Sequence, residues 1–263
     1  MVKNIPPKLY KFQSFESKYS IENLRDNQIW FSKPERLNDP FDCATPTVFI
    51  DTDNEEVMAN FLENFSFAKL RKEGKTELIE KLKSQHFQNG KPDQKLLIEA
   101  DKLFREYSQA QIDIYRHTGV ACFTTELKSI LMWSHYADGH KGFCLELDTK
   151  YLSERLIEVI YSGSYPTLSP EDWYKAPHRL IEPLYTKSND WAYENEWRFI
   201  KKKGNSVYTY NPKALTAIYF GCSASSENIN KILTLPAKSA ARLYQMRPSS
   251  TEFKLEYVPY HMS

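Results

Sequence analysis

The chain has 263 residues, enough for one large domain or for a domain carrying an insert. Its formal net charge of +1 gives no overall field to draw it onto nucleic acid or an anionic membrane. Its eight glycines form no GxGxxG or Walker-type run, and its four dispersed cysteines form no CxxC pair, which argues against a glycine-rich phosphate cradle, a disulfide framework or a zinc knuckle.

In chain order, Lys8–Phe12 alternates as a half-buried strand does. Ser20–Asp26 reads as a capped helix with Ile21 and Leu24 at helical spacing, and Gln28–Ser32 as a second strand. The character then becomes charged and helical, which predicts a helical insertion over 52–118 within a single domain of 1–263. Its last helix places Leu96, Ala100, Leu103, Tyr107, Ala110 and Ile114 on one apolar stripe, a pattern that predicts packing and not chemistry. The second half returns to short strands at Val120–Thr124, Phe143–Leu147, Glu158–Tyr161, Glu196–Ile200, Val207–Tyr210, Ala217–Phe220, Arg242–Met246 and Phe253–Tyr257. Helices are expected at Ile130–Ala137, Pro170–Ala176 and Glu227–Leu233. Many short strands with irregular helices point to an α+β fold with an antiparallel or mixed core, not a doubly wound sheet. No run approaches the length of a bilayer and the first residues lack an apolar signal stretch, so a cytoplasmic location without membrane contact is expected.

Three polar–aromatic motifs stand out. Asn38-Asp39-Pro40-Phe41-Asp42 is a turn-forming run that reads either as a tight turn anchoring Phe41 in the core or as a segment whose Asn38 and Asp42 line a cleft beyond a strand end. Met132–Gly142 puts His135 and Tyr136 beside Met132 on one helix face, ends that helix at Gly139, and adds His140 and then Glu146 on the next strand. A Glu in mid-strand is either exposed or buried with a partner. Trp191–Ile200, read with period two, puts Glu194, Glu196 and Arg198 on one face, with aromatic flanks that suggest cover on both sides.

These motifs in this order resemble the bacterial family catalogued as domain of unknown function 2971. The likeness rests on Leu9-Tyr10-Lys11-Phe12, Ile29–Ser32, Asn38–Asp42, Cys122–Thr124, Met132–Gly142, Trp191–Arg198 and Ile218–Gly221. It spans nearly all of the chain except the helical stretch. The order of parts is also similar to ADP-ribosyltransferases, enzymes with a split β core that hold NAD in an extended cleft. That similarity implies NAD as substrate and transfer of ADP-ribose to an acceptor, either protein or nucleic acid. It implies a catalytic group of Glu196, Glu194, Tyr136 and His135, with Tyr136 or Trp133 stacking on nicotinamide. Asn38, Asp42, Trp133, His140, Arg198 and Tyr10 would complete the ligand site. The first strand departs from that superfamily by carrying Tyr10 and Lys11 where His or Arg is usual, and no Ser-Thr-Ser segment is present. Two other readings stay open. Asp39, Asp42, Glu146, Glu196, His135 and His140 are candidates for gathering a divalent cation in a nuclease, although no HExxH spacing occurs. A non-catalytic nucleotide sensor would use the helical insertion to bind a partner. The family resemblance implies a bacterial defence or toxin setting, including phage defence.

Overall fold

Period-two alternation gives most strands one apolar face and one mixed face, and that asymmetry organises the sheet. The computed structural model describes residues 4–43, 48–152, 156–235 and 241–261. They divide into two compact units. The first comprises Met1–Arg36, Thr118–Tyr161 and Asn189–Ser263. Its elements are β1 (Lys8–Gln13), α1 (Lys18–Arg25), β2 (Gln28–Phe31), β3 (Gly119–Thr124), α2 (Ile130–Tyr136), β4 (Phe143–Asp148) and β5 (Leu156–Glu158). β6 (Glu196–Lys201), β7 (Ser206–Thr209), β8 (Leu215–Phe220), α3 (Ser226–Leu233), β9 (Arg242–Pro248) and β10 (Leu255–Pro259) follow. The α+β class expected from the sequence holds, and these strands lie close to their expected positions.

Eight strands form one mixed sheet in the order β10-β9-β8-β4-β1-β3-β6-β5. β8 and β9 pair in parallel and are bridged by α3, the crossover that a parallel pair requires. The other neighbours pair antiparallel. One face buries Leu9, Phe123, Leu145, Leu147, Phe199, Ile218 and Phe220 against Leu24 of α1, Ile229 and Ile232 of α3, and Ile29 and Phe31 of the β2–β7 ribbon. On the opposite face Tyr10, Phe12, Cys144, Ala217, Tyr219 and Met246 pack with Trp133 and Ala137 of α2. Strand parity puts Glu146, Glu196 and Arg198 on this second face as well.

The closest backbone approaches to a glycine are at Gly142 and Gly221. A Cβ at Gly142 would lie 2.1 Å from the Gln13 carbonyl oxygen, and one at Gly221 would lie 2.1 Å from that of His140. The loop between α2 and β4 is tight, with Asp138, Gly139 and His140 all left-handed at φ 49°, 56° and 66°. The left-handed stop expected at Gly139 is therefore three residues long.

The second unit comprises Leu37–His117 and Ser162–Ser188, so it holds the helical stretch expected over 52–118 up to His117 and also takes in an earlier and a later segment. Asn54 caps the helix Glu55–Phe61 through its side chain, and the chain continues through a π-helical stretch at Leu62–Phe67. Helices Thr76–His86 and Gln94–His117 follow. Val48–Phe49 pairs in parallel with Thr167–Leu168. The core joins Phe61, Phe67, Ile79, Leu96, Ala100 and Phe104 to Leu168 and Trp173. Pro170–Ala176, expected as a helix, is a 3-10 turn over Pro170–Trp173 closed by a capping box between Ser169 and Asp172.

The stripe of the long helix differs from the expected one. Leu96, Ala100, Phe104, Ser108 and Tyr115 are its buried positions, whereas Ala110 and Ile114 are exposed. Phe104 decides the rotation of the helix, because its ring packs edge-on against Phe49, Phe61 and Trp173. Phe104→Ala should cost about 3–5 kcal/mol in urea unfolding, whereas Ile114→Ala should stay within about 0.5 kcal/mol.

Candidate functional site

β6 enters the sheet between β3 and β5, with Glu196 opposite Thr124 and Arg198 opposite Cys122. Residues two apart on a strand point the same way, so the two charged side chains stand side by side. Arg198 Nε donates to Glu196 Oε1 at 2.6 Å and Nη2 donates to Oε2 at 3.0 Å. Arg198 is 0% exposed and Glu196 2%. A bidentate pair at this depth is fixed in direction, and the backbone N–H of Glu196 donates to the Tyr161 hydroxyl at 2.8 Å.

Glu194 was expected on the same strand face, but it ends a 3-10 turn over Asn189–Glu194, and Asn195 turns the chain at φ 43°. The bend brings Glu194 back beneath the sheet edge, where it is buried. Its backbone oxygen accepts from the Thr124 hydroxyl, and its Oε1 accepts from the Tyr136 hydroxyl at 2.6 Å. Thr124 thus touches both acids of the E-x-E run, one by side chain and one by strand register. Tyr136 belongs to α2, which Ser129 caps through its hydroxyl. His135, exposed on the same helix, stands 6.3 Å from the Trp191 ring and 6.5 Å from the Tyr193 ring. Trp191 and Tyr193 lie 6.1 Å apart, so three planar side chains cluster here, with His135 also 6.3 Å from the Tyr136 ring.

A second buried acid occupies the same sheet face. Glu146 is 1% exposed. Its Oε1 accepts from Thr216 Oγ1 at 2.7 Å, Lys8 Nζ at 3.0 Å and Arg242 Nη2 at 3.2 Å. Its Oε2 accepts from the Tyr219 hydroxyl at 2.9 Å and the Tyr10 hydroxyl at 3.4 Å. Burial pushes the Glu146 carboxyl up, but hydrogen bonds from Thr216, Lys8 and Tyr219 outweigh it and hold the group below the ordinary value. Burial, with the adjoining Glu146 charge, drives the Tyr10 and Tyr219 hydroxyls up, so both stay protonated donors.

Residues 132–199 match the family model described as a protein of unknown function, DUF2971. No curated protein and no solved structure matches the chain. The DUF2971 match runs from α2 into β6 and contains the second motif and the third up to Phe199, with Tyr136, Glu146, Glu194, Glu196 and Arg198. It therefore covers both acids of the E-x-E run and the helix that faces them.

Of the residues expected to act together, Glu194, Glu196, Arg198, Tyr136 and His135 share one edge of the first unit. Trp133, expected to stack on a ligand, is a core residue at 0% exposure. Its indole N–H donates to the Leu127 carbonyl at 2.7 Å, and Phe12 packs edge-on 5.0 Å away, so its ring is enclosed by protein. Tyr10 serves Glu146. His140 lies in the left-handed loop, where its carbonyl accepts from the Ser223 N–H, and burial lowers its ring pKa. Asn38 and Asp42 belong to the second unit. There Asp39 Oδ1 accepts from the Phe41 N–H at 2.9 Å, which makes the run a turn, and Phe41 is 63% exposed instead of anchored. Asp42 is buried with Lys187, whose Nζ lies 3.8 Å away. Lys11 was missed: its Nζ donates to the Cys122 carbonyl at 3.2 Å over the Phe123 ring, and burial lowers its pKa against the nearby Cys122 and Glu196 charges. Its signal was a lysine inside an otherwise apolar strand. Among the described residues, no group of three or more His, Cys, Asp or Glu side chains is placed to hold a metal ion, so the nuclease reading finds no ligand set there.

Removing one partner of the Glu196–Arg198 pair leaves a buried charge uncompensated. Arg198→Met should lower stability by about 3–5 kcal/mol, and adding Glu196→Gln should restore much of the loss in chemical denaturation. The depressed Glu146 pKa contributes stability that is present above the ordinary value of 4.5 and is lost as pH falls through the folded value. Unfolding followed as a function of pH should therefore show Glu146→Gln losing less stability on acidification below 4.5 than the wild type does.

Proposed function

We propose that the first unit binds a nucleotide at the edge formed by α2, the Asn189–Glu194 turn and β6, and cleaves the nicotinamide–ribose bond of NAD, passing ADP-ribose to an acceptor. The observation that carries this reading is the pair of buried, protein-held carboxylates of Glu194 and Glu196 beside the partly exposed rings of His135, Trp191 and Tyr193. Planar rings of this kind stack on a nicotinamide, a role that passes to them from the enclosed Trp133. As the glycosidic bond breaks, its electron pair moves to the ring nitrogen, and nicotinamide leaves neutral. Positive charge grows at the anomeric carbon, and Glu196, oriented by Arg198, supplies fixed negative charge to that region. The acceptor then bonds to the same carbon and releases a proton, for which Glu194 is the base. The Tyr136 hydroxyl orients Glu194 in this scheme. The likeness to ADP-ribosyltransferases, including the split β core and a cytoplasmic setting rich in NAD, is part of the proposal. A non-catalytic nucleotide-binding module is the second reading, and the occupation of both Glu196 oxygens by Arg198 favours it.

Purified protein incubated with NAD labelled in its adenylate part, alone and with cell lysate, separates the two. Nicotinamide release or label transfer should occur in the wild type. It should fall at least about 100-fold in Glu196→Gln and in Tyr136→Phe, which leaves the Arg198 pair intact. Saturable nucleotide binding without turnover would replace the enzyme with the binding module.

A further inference from the structure

Strand register lines up the two acidic sites of the sheet. Arg242 lies opposite Ala217, Ala217 opposite Glu146, and Glu146 opposite Tyr10. Tyr10 in turn lies opposite Thr124, and Thr124 opposite Glu196. One transverse row thus runs from the cations around Glu146 to the Glu196 edge. Glu146 and Glu196 are three strand spacings apart along it, about 14 Å. At the Glu146 end, two cations share a single carboxylate oxygen. Lys8 Nζ and Arg242 Nη2 reach the same Oε1 at 3.0 and 3.2 Å, which keeps them within about 6 Å of one another, a separation that one phosphoryl group bridges. The Lys8 and Arg242 side chains remain 47% and 58% exposed, while the acid beneath them is buried. Asp148, opposite Lys8, is engaged with Lys150 at 3.0 Å and does not cancel the excess. Two cations over one carboxylate leave a local surplus of one positive charge in a chain whose net charge is only +1.

We propose that Lys8 and Arg242, held in place by Glu146, form a phosphate-binding subsite that takes the pyrophosphate of a nucleotide lying along this row. The identity of the rest of the ligand rests on the reading given under Proposed function; the anion subsite does not. Glu146 acts here as a positioning residue, because the hydroxyls of Tyr10, Tyr219 and Thr216 fix it and it fixes the two cations. The unused N–H groups of the lysine and the guanidinium are the ones that meet the phosphate.

Inorganic pyrophosphate is the probe, titrated calorimetrically into the full chain at low salt. The wild type should bind it saturably, and Arg242→Gln and Lys8→Gln should each weaken binding at least tenfold. Arg247→Gln is the control: this arginine sits on β9 with opposite parity and pairs with Glu256, and its loss should leave affinity unchanged. Absence of saturable binding in the wild type, equal affinity in Arg242→Gln, or an equal loss in Arg247→Gln would each overturn the subsite. Pyrophosphate has no ring and no glycosidic bond, so its titration is blind to NAD cleavage. Pyrophosphate binding without cleavage keeps the subsite and removes the enzymatic reading. Cleavage whose KM is indifferent to Arg242→Gln removes the subsite and keeps the reaction.

Discussion

The pairing of Glu196 with Arg198 is the interaction on which the site edge depends. Either charge alone, at this depth beside Thr124 and Cys122, would carry a desolvation cost larger than most single contacts return. Together, in bidentate geometry, they make the buried edge of β6 tolerable and fix the carboxylate in direction. A pair of this kind contributes orientation more than net stability, since well-packed apolar residues would fill the same space at no greater cost.

Glu146 solves the same electrostatic problem by different means. It is surrounded by three hydroxyls and two cations, not locked to one guanidinium. The two arrangements differ in what they expose. At Glu196 both the acid and its cation are buried. At Glu146 the acid is buried and the two cations are about half exposed. Both acids lie on the mixed face of one sheet with β1 and β3 between them, Tyr10 being in register with Glu146 on one side and with Thr124 on the other, and Thr124 in turn with Glu196.

How far the sequence could be read depends on the range of the interaction that decides each feature. Alternation in Lys8–Phe12 and Phe143–Leu147 predicts strands because the period is a local property, and β1 and β4 follow it. The same reasoning failed for Glu194, where a left-handed Asn195 breaks the period just before the strand begins. It failed again in the long helix, where a repeat drawn through Leu103 passed over Phe104, because the identity of the buried neighbour is decided by Phe49 and Trp173 and not by spacing within the helix. Trp133 was misassigned for a related reason. Its stacking role came from the resemblance to ADP-ribosyltransferases, and no local pattern shows that Phe12 and the Leu127 carbonyl, from elsewhere in the chain, enclose the indole.

By itself the sequence determined the α+β class, the positions of most strands, the resemblance now matched over 132–199, and the membership of Glu196, Arg198, Tyr136 and His135 in a polar–aromatic group. Those features rest on period, capping and motif, which act within a few residues. Only the tertiary structure decided that β1 lies between β4 and β3, that Tyr136 meets Glu194 across 58 residues, and that Lys8 and Arg242 converge on one oxygen of Glu146. Strand order and register come from long-range pairing chosen by the burial of whole faces, so no local pattern carries them.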